Sequence, residues 1–271
     1  MSQATSKNDH GVRIEQTGAV LAITWDMPHR YNSLDEQMVA RALHALERAS
    51  ADPSIRLVTV TGEGRAFCAG ASLRDRPERD AAADDDRLPE PTLLDLLNRW
   101  ALACRAAPQL VVALVNGVAA GVGASIAMGA DLVVMHRDAY LKNAFEAIGL
   151  MPDGGATAYL PAILGRSRAM AVAVLGDRID ADECLRLGIA ARVFDADAYA
   201  RDSKALVDRL ANGPTRGYAA TKHAIDALAL PQLAAALDVE RRGQEALLAS
   251  ADHAEGVAAF LEKRSPAFTG E

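Results

Sequence analysis

The sequence predicts an α/β fold, with an α/β core over residues 1–197 and an α-helical appendage over residues 198–271. Three observations lead to this. Leu110–Val115 is an unbroken apolar run, as in a parallel strand buried on both faces. Strand patterns alternate with helix patterns through the first two thirds of the chain. From Pro214 onward every stretch reads as helix, and Pro214 itself suits a first helical turn.

The elements follow in order. Residues 12–16 and 20–25 alternate around a turn at Thr17, Gly18 and Ala19, which predicts a hairpin. After a loop over 27–32, Ser33 and Glu36 have capping-box spacing for a helix to about Ala49. Leu34, Met38, Ala42 and Leu46 form its apolar stripe. Residues 56–61 are β-branched and read as a strand ending at Gly62-Glu63-Gly64. Residues 74–91 are nearly all charged residues, Ala and Pro, so they read as a solvated loop or mobile flap. The Asp84–Asp86 run within it lacks the spaced ligands of a calcium loop.

A helix is expected from Thr92 to Arg105, with Leu93, Leu96, Leu97, Trp100 and Cys104 on one face. The strand 110–115 ends at Asn116-Gly117; a short helix over 122–129 and a strand over 132–135 follow. Further helices are predicted over 167–176, 181–187 and 198–210. Pro231 opens another to about Ser250, and Asp252 with Glu255 caps the last, which contains Val257, Phe260 and Leu261.

Composition excludes several classes. Lys and Arg number 29 against 36 Asp and Glu, and a net charge of −7 gives no broad footprint for nucleic acid or an anionic membrane. Aromatics are only 4%, so aliphatic and alanine packing must build the core. No apolar stretch reaches the roughly 20 residues of a membrane helix, and the polar start lacks a signal-peptide core. A cytoplasmic protein is expected. Cys68, Cys104 and Cys184 are far apart and form no CxxC or Cys/His cluster, so buried free thiols and no metal are expected.

Two glycine-rich stretches carry the chemical signal. Gly117-Val-Ala-Ala-Gly121-Val-Gly123-Ala-Ser125 follows a buried strand and opens a helix. A dinucleotide fingerprint starting at Gly121 fails because Ile126 stands at the third glycine. Gly123-Ala-Ser125-Ile-Ala127 is one glycine short of a nucleophile elbow, so a serine hydrolase using His223 or His253 stays open. Gly62-Glu-Gly64-Arg-Ala-Phe67-Cys-Ala69-Gly70-Ala71 is a second loop of small residues. If each loop supplies one backbone N–H, both converge on one developing oxyanion, and small side chains permit that approach.

These residues resemble the enoyl-CoA hydratase/isomerase (crotonase) superfamily over nearly the whole chain. The matching pieces are Met27-Pro-His-Arg-Tyr-Asn-Ser-Leu34, Gly64-Arg-Ala-Phe-Cys-Ala-Gly-Ala71 and Val115-Asn-Gly-Val-Ala-Ala-Gly-Val-Gly-Ala124. Ile148-Gly-Leu-Met-Pro-Asp-Gly-Gly155 and Glu255-Gly-Val-Ala-Ala-Phe-Leu-Glu-Lys-Arg264 follow in the same order. The resemblance implies a crotonase-like spiral of ββα turns with a helical C-terminal region, assembled as a homotrimer or dimer of trimers. It implies an acyl-CoA thioester ligand, with coenzyme A part of the substrate and no separate cofactor. The oxyanion donors would be the N–H groups of Ala71 and Val122, flanked in the pocket by Ala69, Gly70 and Gly121. Arg30 matches the region that cradles adenine and phosphates, Arg65 and Arg74 are weaker phosphate contacts, and Phe260 and Lys263 match residues completing the coenzyme A pocket.

The family's two hydratase glutamates fall here on Ser125 and Phe145, which then line the pocket without a carboxyl group. A one-residue slip would put Glu146 in the second place. Adding water needs acid–base groups, so the resemblance favours an isomerase over a hydratase of atypical site. Asp153 stands where many hydratases have Gly; similar isomerases carry Asp there, and the chlorobenzoyl-CoA dehalogenases use a matching Asp as nucleophile. A single carboxylate suits a 1,3-proton shift. The alternative is that Asp153 caps the next helix and the protein binds acyl-CoA without turnover.

Overall fold

The computed structural model describes residues 10–73 and 91–271. The polar start, nearly all of the flap over 74–91, Arg74 and the run Asp84–Asp86 lie outside the described residues.

The hairpin forms as the alternation requires. β1 (Val12–Thr17) and β2 (Val20–Trp25) pair antiparallel, from Val12 opposite Trp25 to Thr17 opposite Val20. Gly18 turns the chain at φ +58°, where a side chain would be strained. β3 (Leu57–Gly62), β5 (Leu110–Val115), β7 (Leu132–His136) and β10 (Arg192–Phe194) continue this sheet in parallel, in the order β1-β2-β3-β5-β7-β10.

A second sheet is built from three-residue strands: β4 (Ala66–Cys68), β6 (Val118–Ala120), β8 (Tyr140–Lys142) and β9 (Arg178–Asp180), in that order. Each pass of the chain lays one strand in the first sheet and one in the second, then a helix. β3 and β4 lead to α2 (Leu93–Ala106), β5 and β6 to α3 (Val122–Met128), and β7 and β8 to α4 (Ala156–Leu164). This is the expected ββα spiral. The short strands and α4 escape the hydrophobic pattern because three residues carry no period, and α4 is apolar nearly all round.

The core has two parts. The larger lies between the sheets and the helices α1 (Glu36–Ala51), α2, α3 and α4, where Trp25 meets Trp100 at 6.0 Å between ring centroids. The smaller lies on the other face of the first sheet, where Leu57, Val112 and Val134 pack under Leu206 and Leu210 of α7 (Tyr199–Ala211). Val112 faces this second cluster while Val111, Ala113 and Val115 face the first, so β5 is buried on both faces as its run of apolar residues requires.

α5 (Arg166–Leu175) and α6 (Ala181–Leu187) follow α4, and α8 (Thr215–Ala229), α9 (Leu233–Leu247) and α10 (Ala251–Glu262) end the chain. α8 is pinned by a buried ion pair: Lys222 Nζ lies 2.9 Å from Asp131 Oδ2 and 3.1 Å from the carbonyl of Gln109. Arg105 shares the other oxygen of Asp131 at 3.0 Å. Each buried charge thus has the partners that make its desolvation tolerable.

Two capping assignments differ from expectation. α1 starts not at Ser33 but at Glu36, with Asp35 accepting from Met38 N at 2.9 Å. The chain through Ser33 stays extended because Leu34 forms a bridge to Ala71. α2 carries the true capping box, between Thr92 and Asp95. Ser250, not Asp252 or Glu255, caps α10, accepting from His253 N at 3.0 Å. Asp252 and Glu255 are taken by the C-terminal tail, where they accept from Thr269 N at 2.7 Å and Ala267 N at 2.8 Å.

All three cysteines are free and buried. Burial pushes each thiol up to about 12, so they behave as apolar packing groups. Among the described residues no helix is long and apolar enough to cross a membrane.

Candidate active site

The two small-residue loops meet at the ends of β4 and β6. A Cβ on Gly70 would come within 3.0 Å of the Ala120 carbonyl, and one on Gly121 within 3.9 Å of Gly70 Cα. Gly70 at φ +95° and Gly121 at φ +52° both need the glycine conformation. Ala69 is fixed by its N–H to the Tyr31 carbonyl at 3.0 Å.

Ala71 follows Gly70 in the bridge to Leu34. Leu34 donates to the Gly70 carbonyl and accepts from Ser72 N, both at 2.8 Å. A parallel bridge of this kind turns the peptide N–H of Ala71 away from Leu34. Val122 is the first residue of α3, so its N–H has no carbonyl in the preceding turn. Neither N–H has an acceptor among the described residues. Tight packing holds α3 in place: all seven of its residues are buried, and a Cβ on Gly123 would strike the Cys68 carbonyl at 2.4 Å.

Asp153 reaches this place from the loop before α4. The next residue, Gly154, packs on α3: a Cβ there would lie 2.9 Å from Val122 Cγ2 and 3.2 Å from Ser125 Cβ. Asp153 is 9% exposed. Its Oδ2 accepts from Gln244 Nε2 at 2.8 Å, while Oδ1 is buried with no hydrogen-bond partner among the described residues. Burial above all, and the nearby Glu240 charge, push the carboxyl up to about 7; the Gln244 bond works against them.

Asp153 does not cap α4 with its side chain. That task falls to Glu240 on α9, which is fully buried. Its carboxylate accepts from Gly155 N and Thr157 N, each at 2.8 Å, and from Thr157 Oγ1 at 2.6 Å. Glu240 and Gln244 stand one turn apart on α9, and no sequence motif announced either. Their only signal was a Glu and a Gln spaced four residues apart on one face of a helix whose apolar residues face the core.

The other expected residues divide. Ser125 is fully buried against Gly154, and its Oγ has no hydrogen-bond partner among the described residues. A Ser–His pair, which a hydrolase needs, is thus not formed there; His253 Nδ1 meets the Ile148 carbonyl at 2.8 Å instead, and His223 is exposed on α8. Phe145 is buried at the start of the 3-10 turn Glu146–Ile148. Glu146 lies against Gly176, at the end of α5: a Cβ on Gly176 would overlap its Oε1 at 1.8 Å.

Arg30, in the 3-10 turn Pro28–Arg30, pairs with Asp35 at 2.5 Å, and Arg65 stacks over the Tyr31 ring at 4.4 Å. Asn32 locks this region from a positive φ of 58°. Its side chain accepts from Met27 N at 2.9 Å and donates to the carbonyls of Glu63 at 2.9 Å and Ala66 at 2.8 Å. Phe260 is 61% exposed on α10, and Lys263 is exposed at its end. No hydrogen bond or ion pair among the described residues joins either of them to the Ala71, Val122 and Asp153 group.

The chain is similar to known proteins over nearly its whole length. A family model for enoyl-CoA hydratase/isomerase matches residues 15–271. The chain is 39% identical over 258 residues to a 1,2-epoxyphenylacetyl-CoA isomerase of Escherichia coli (strain K12), covering 93% of this chain and 95% of that protein. It is also 39% identical over 261 residues to a probable enoyl-CoA hydratase of Rhodobacter capsulatus, covering 96% and 98%. A crystal structure of an enoyl-CoA hydratase from Mycobacterium avium subsp. paratuberculosis K-10 superposes with a TM-score of 0.88 at 37% identity, covering 96% of this chain and 99% of the other. The motifs, the ββα spiral and these matches agree: the chain belongs to the enoyl-CoA hydratase/isomerase family of the crotonase superfamily.

Proposed function

We propose that the protein is an enoyl-CoA isomerase that moves one proton with one carboxylate. Asp153 takes a proton from C2 or C4 of an unsaturated acyl-CoA. The N–H groups of Ala71 and Val122 hold the oxygen of the resulting dienolate. The same carboxyl group then returns the proton at the other carbon. Each backbone donor to such an oxyanion contributes about 3–4 kcal/mol where it has been measured.

The observation that carries this reading is the state of Asp153. Its carboxyl group is buried, does not cap α4, has no hydrogen-bond partner at Oδ1 among the described residues and is pushed up to about 7. A base whose proton affinity matches the working pH abstracts and returns a proton with the least cost. Ser125 and Phe145, at the two hydratase positions, have no carboxyl to activate water, and Glu146 lies against Gly176. These features favour the chemistry named for the Escherichia coli relative over that named for the Rhodobacter capsulatus one. In this reading Arg30, Phe260 and Lys263 contact the coenzyme A moiety, the latter two in an assembled homotrimer or dimer of trimers.

A panel of 2- and 3-enoyl-CoAs and arylacetyl-CoA derivatives, followed by mass spectrometry, tests the proposal. The expected product has the mass of the substrate. Addition of one water by the wild-type protein, lost in Glu146→Gln, would restore the hydratase reading.

A further inference from the structure

We propose that Gln244 is the positioning residue of the site, holding Asp153 by Oδ2 so that Oδ1 is the oxygen that carries the proton. This rests on the reading of Asp153 as proton shuttle and adds which atom acts and what selects it.

An Asp carboxyl turns easily about χ2, so its two oxygens are interchangeable unless something distinguishes them. Gln244 distinguishes them. An ionised carboxylate only accepts hydrogen bonds, so the Gln244 amide must present its NH2 to Oδ2, as the 2.8 Å contact has it. Oδ2 is thereby occupied, and a proton arriving from substrate goes to Oδ1, which no described residue touches through a hydrogen bond. Gln244 is itself 3% exposed, so its grip does not compete with solvent.

The backbone under Asp153 is held from the same helix. Glu240, one turn before Gln244, binds the N–H groups of Gly155 and Thr157. α9 thus sets both the turn and the rotamer of the carboxyl group. It also sets two opposed electrostatic influences: the Gln244 bond favours the carboxylate and the Glu240 charge disfavors it. Among the described residues Glu240 is the charged group acting on Asp153.

The test uses the full chain with Gln244→Met, which keeps the volume and removes the donor. Two quantities are read: the pH profile of kcat/KM for an accepted enoyl-CoA, and the titration of the Asp153 carboxyl carbon by 13C NMR, assigned with Asp153→Asn. The expected result is a titration midpoint raised by about one pH unit, since a bond to an ionised group is lost. The acid limb of kcat/KM should move by the same amount, with kcat at pH 7 down at least about 10-fold and KM changed by less than about 3-fold. A midpoint and acid limb identical to wild type would overturn the proposal. Should Gln244→Met fail to fold, Gln244→Glu serves instead, and a second carboxylate there should raise the midpoint further. Loss of isomerisation in Asp153→Asn together with an unmoved Gln244→Met profile overturns the positioning role alone. Full activity in Asp153→Asn overturns the shuttle itself.

Discussion

Gln244 Nε2 donates to Asp153 Oδ2 at 2.8 Å, in a place buried from solvent. The two residues are 91 positions apart in the chain, and their contact joins the C-terminal helix α9 to the loop between β8 and α4. It leaves the other carboxyl oxygen, Oδ1, buried with no hydrogen-bond partner among the described residues. An unpaired buried polar atom costs stability, and so does a carboxyl group held near a proton affinity of about 7.

The cost has a measurable sign. The folded state holds Asp153 at about 7 against 3.8 for the free side chain, so between these values it binds more protons than the unfolded chain. The penalty is absent below about pH 4, grows as pH rises, and is complete above about pH 7. Asp153→Asn removes it, so the variant should exceed wild type by roughly 2–4 kcal/mol at pH 8 and match it near pH 4. Urea unfolding at the two pH values checks this, and equal stability at pH 8 would show the carboxyl group is not strained.

The donor assigned to Val122 is a backbone atom, so changing the side chain to another does not remove it. Proline removes it. Val122 is the first residue of α3, where proline fits a helix without losing an internal bond. Val122→Pro should lower kcat by about 100- to 1000-fold while leaving the unfolding midpoint near that of wild type. Unchanged kcat in a folded variant would remove Val122 from the reaction.

Glu240 is a structural cap supplied from another helix. Glu240→Ala leaves the N–H groups of Gly155 and Thr157 without an acceptor inside the protein. A loss of about 2–4 kcal/mol in denaturant unfolding is expected. A loss below about 0.5 kcal/mol would mean water replaces the carboxylate.

Asn32 ties the loop before α1 to the turn between β3 and β4. Asn32→Ala gives up three side-chain hydrogen bonds and places a Cβ-bearing residue less suited to φ +58°. It should destabilise by about 2–4 kcal/mol in equilibrium unfolding. Because Ala69 is bonded to Tyr31 beside it, activity should fall further than stability alone explains, read as a lower kcat in protein confirmed folded by circular dichroism.

The α/β class, the hairpin, the doubly buried strand Leu110–Val115 and most long helices were legible because each has a period or an apolar run long enough to show. The second sheet was not, since Ala66–Cys68 and Val118–Ala120 are single triplets among small residues. Capping at Ser33 misread a segment that the bridge from Leu34 to Ala71 keeps extended. In the site, Gly70, Gly121 and Asp153 stand in motifs and were found there. Gln244 and Glu240 were not, because their meaning lies in a contact across more than 80 positions that no local pattern encodes. Conversely, the turn chemistry of Asp153-Gly-Gly suggested a cap that the fold assigns to Glu240.

The most direct measurement is the turnover of one accepted 3-enoyl-CoA by wild type and by Asp153→Asn, with the product weighed by mass spectrometry. A one-carboxylate proton shift predicts a product of unchanged mass from wild type and a rate lower by about 100- to 10,000-fold in the variant. A product heavier by one water, or isomerisation undiminished in Asp153→Asn, would contradict it.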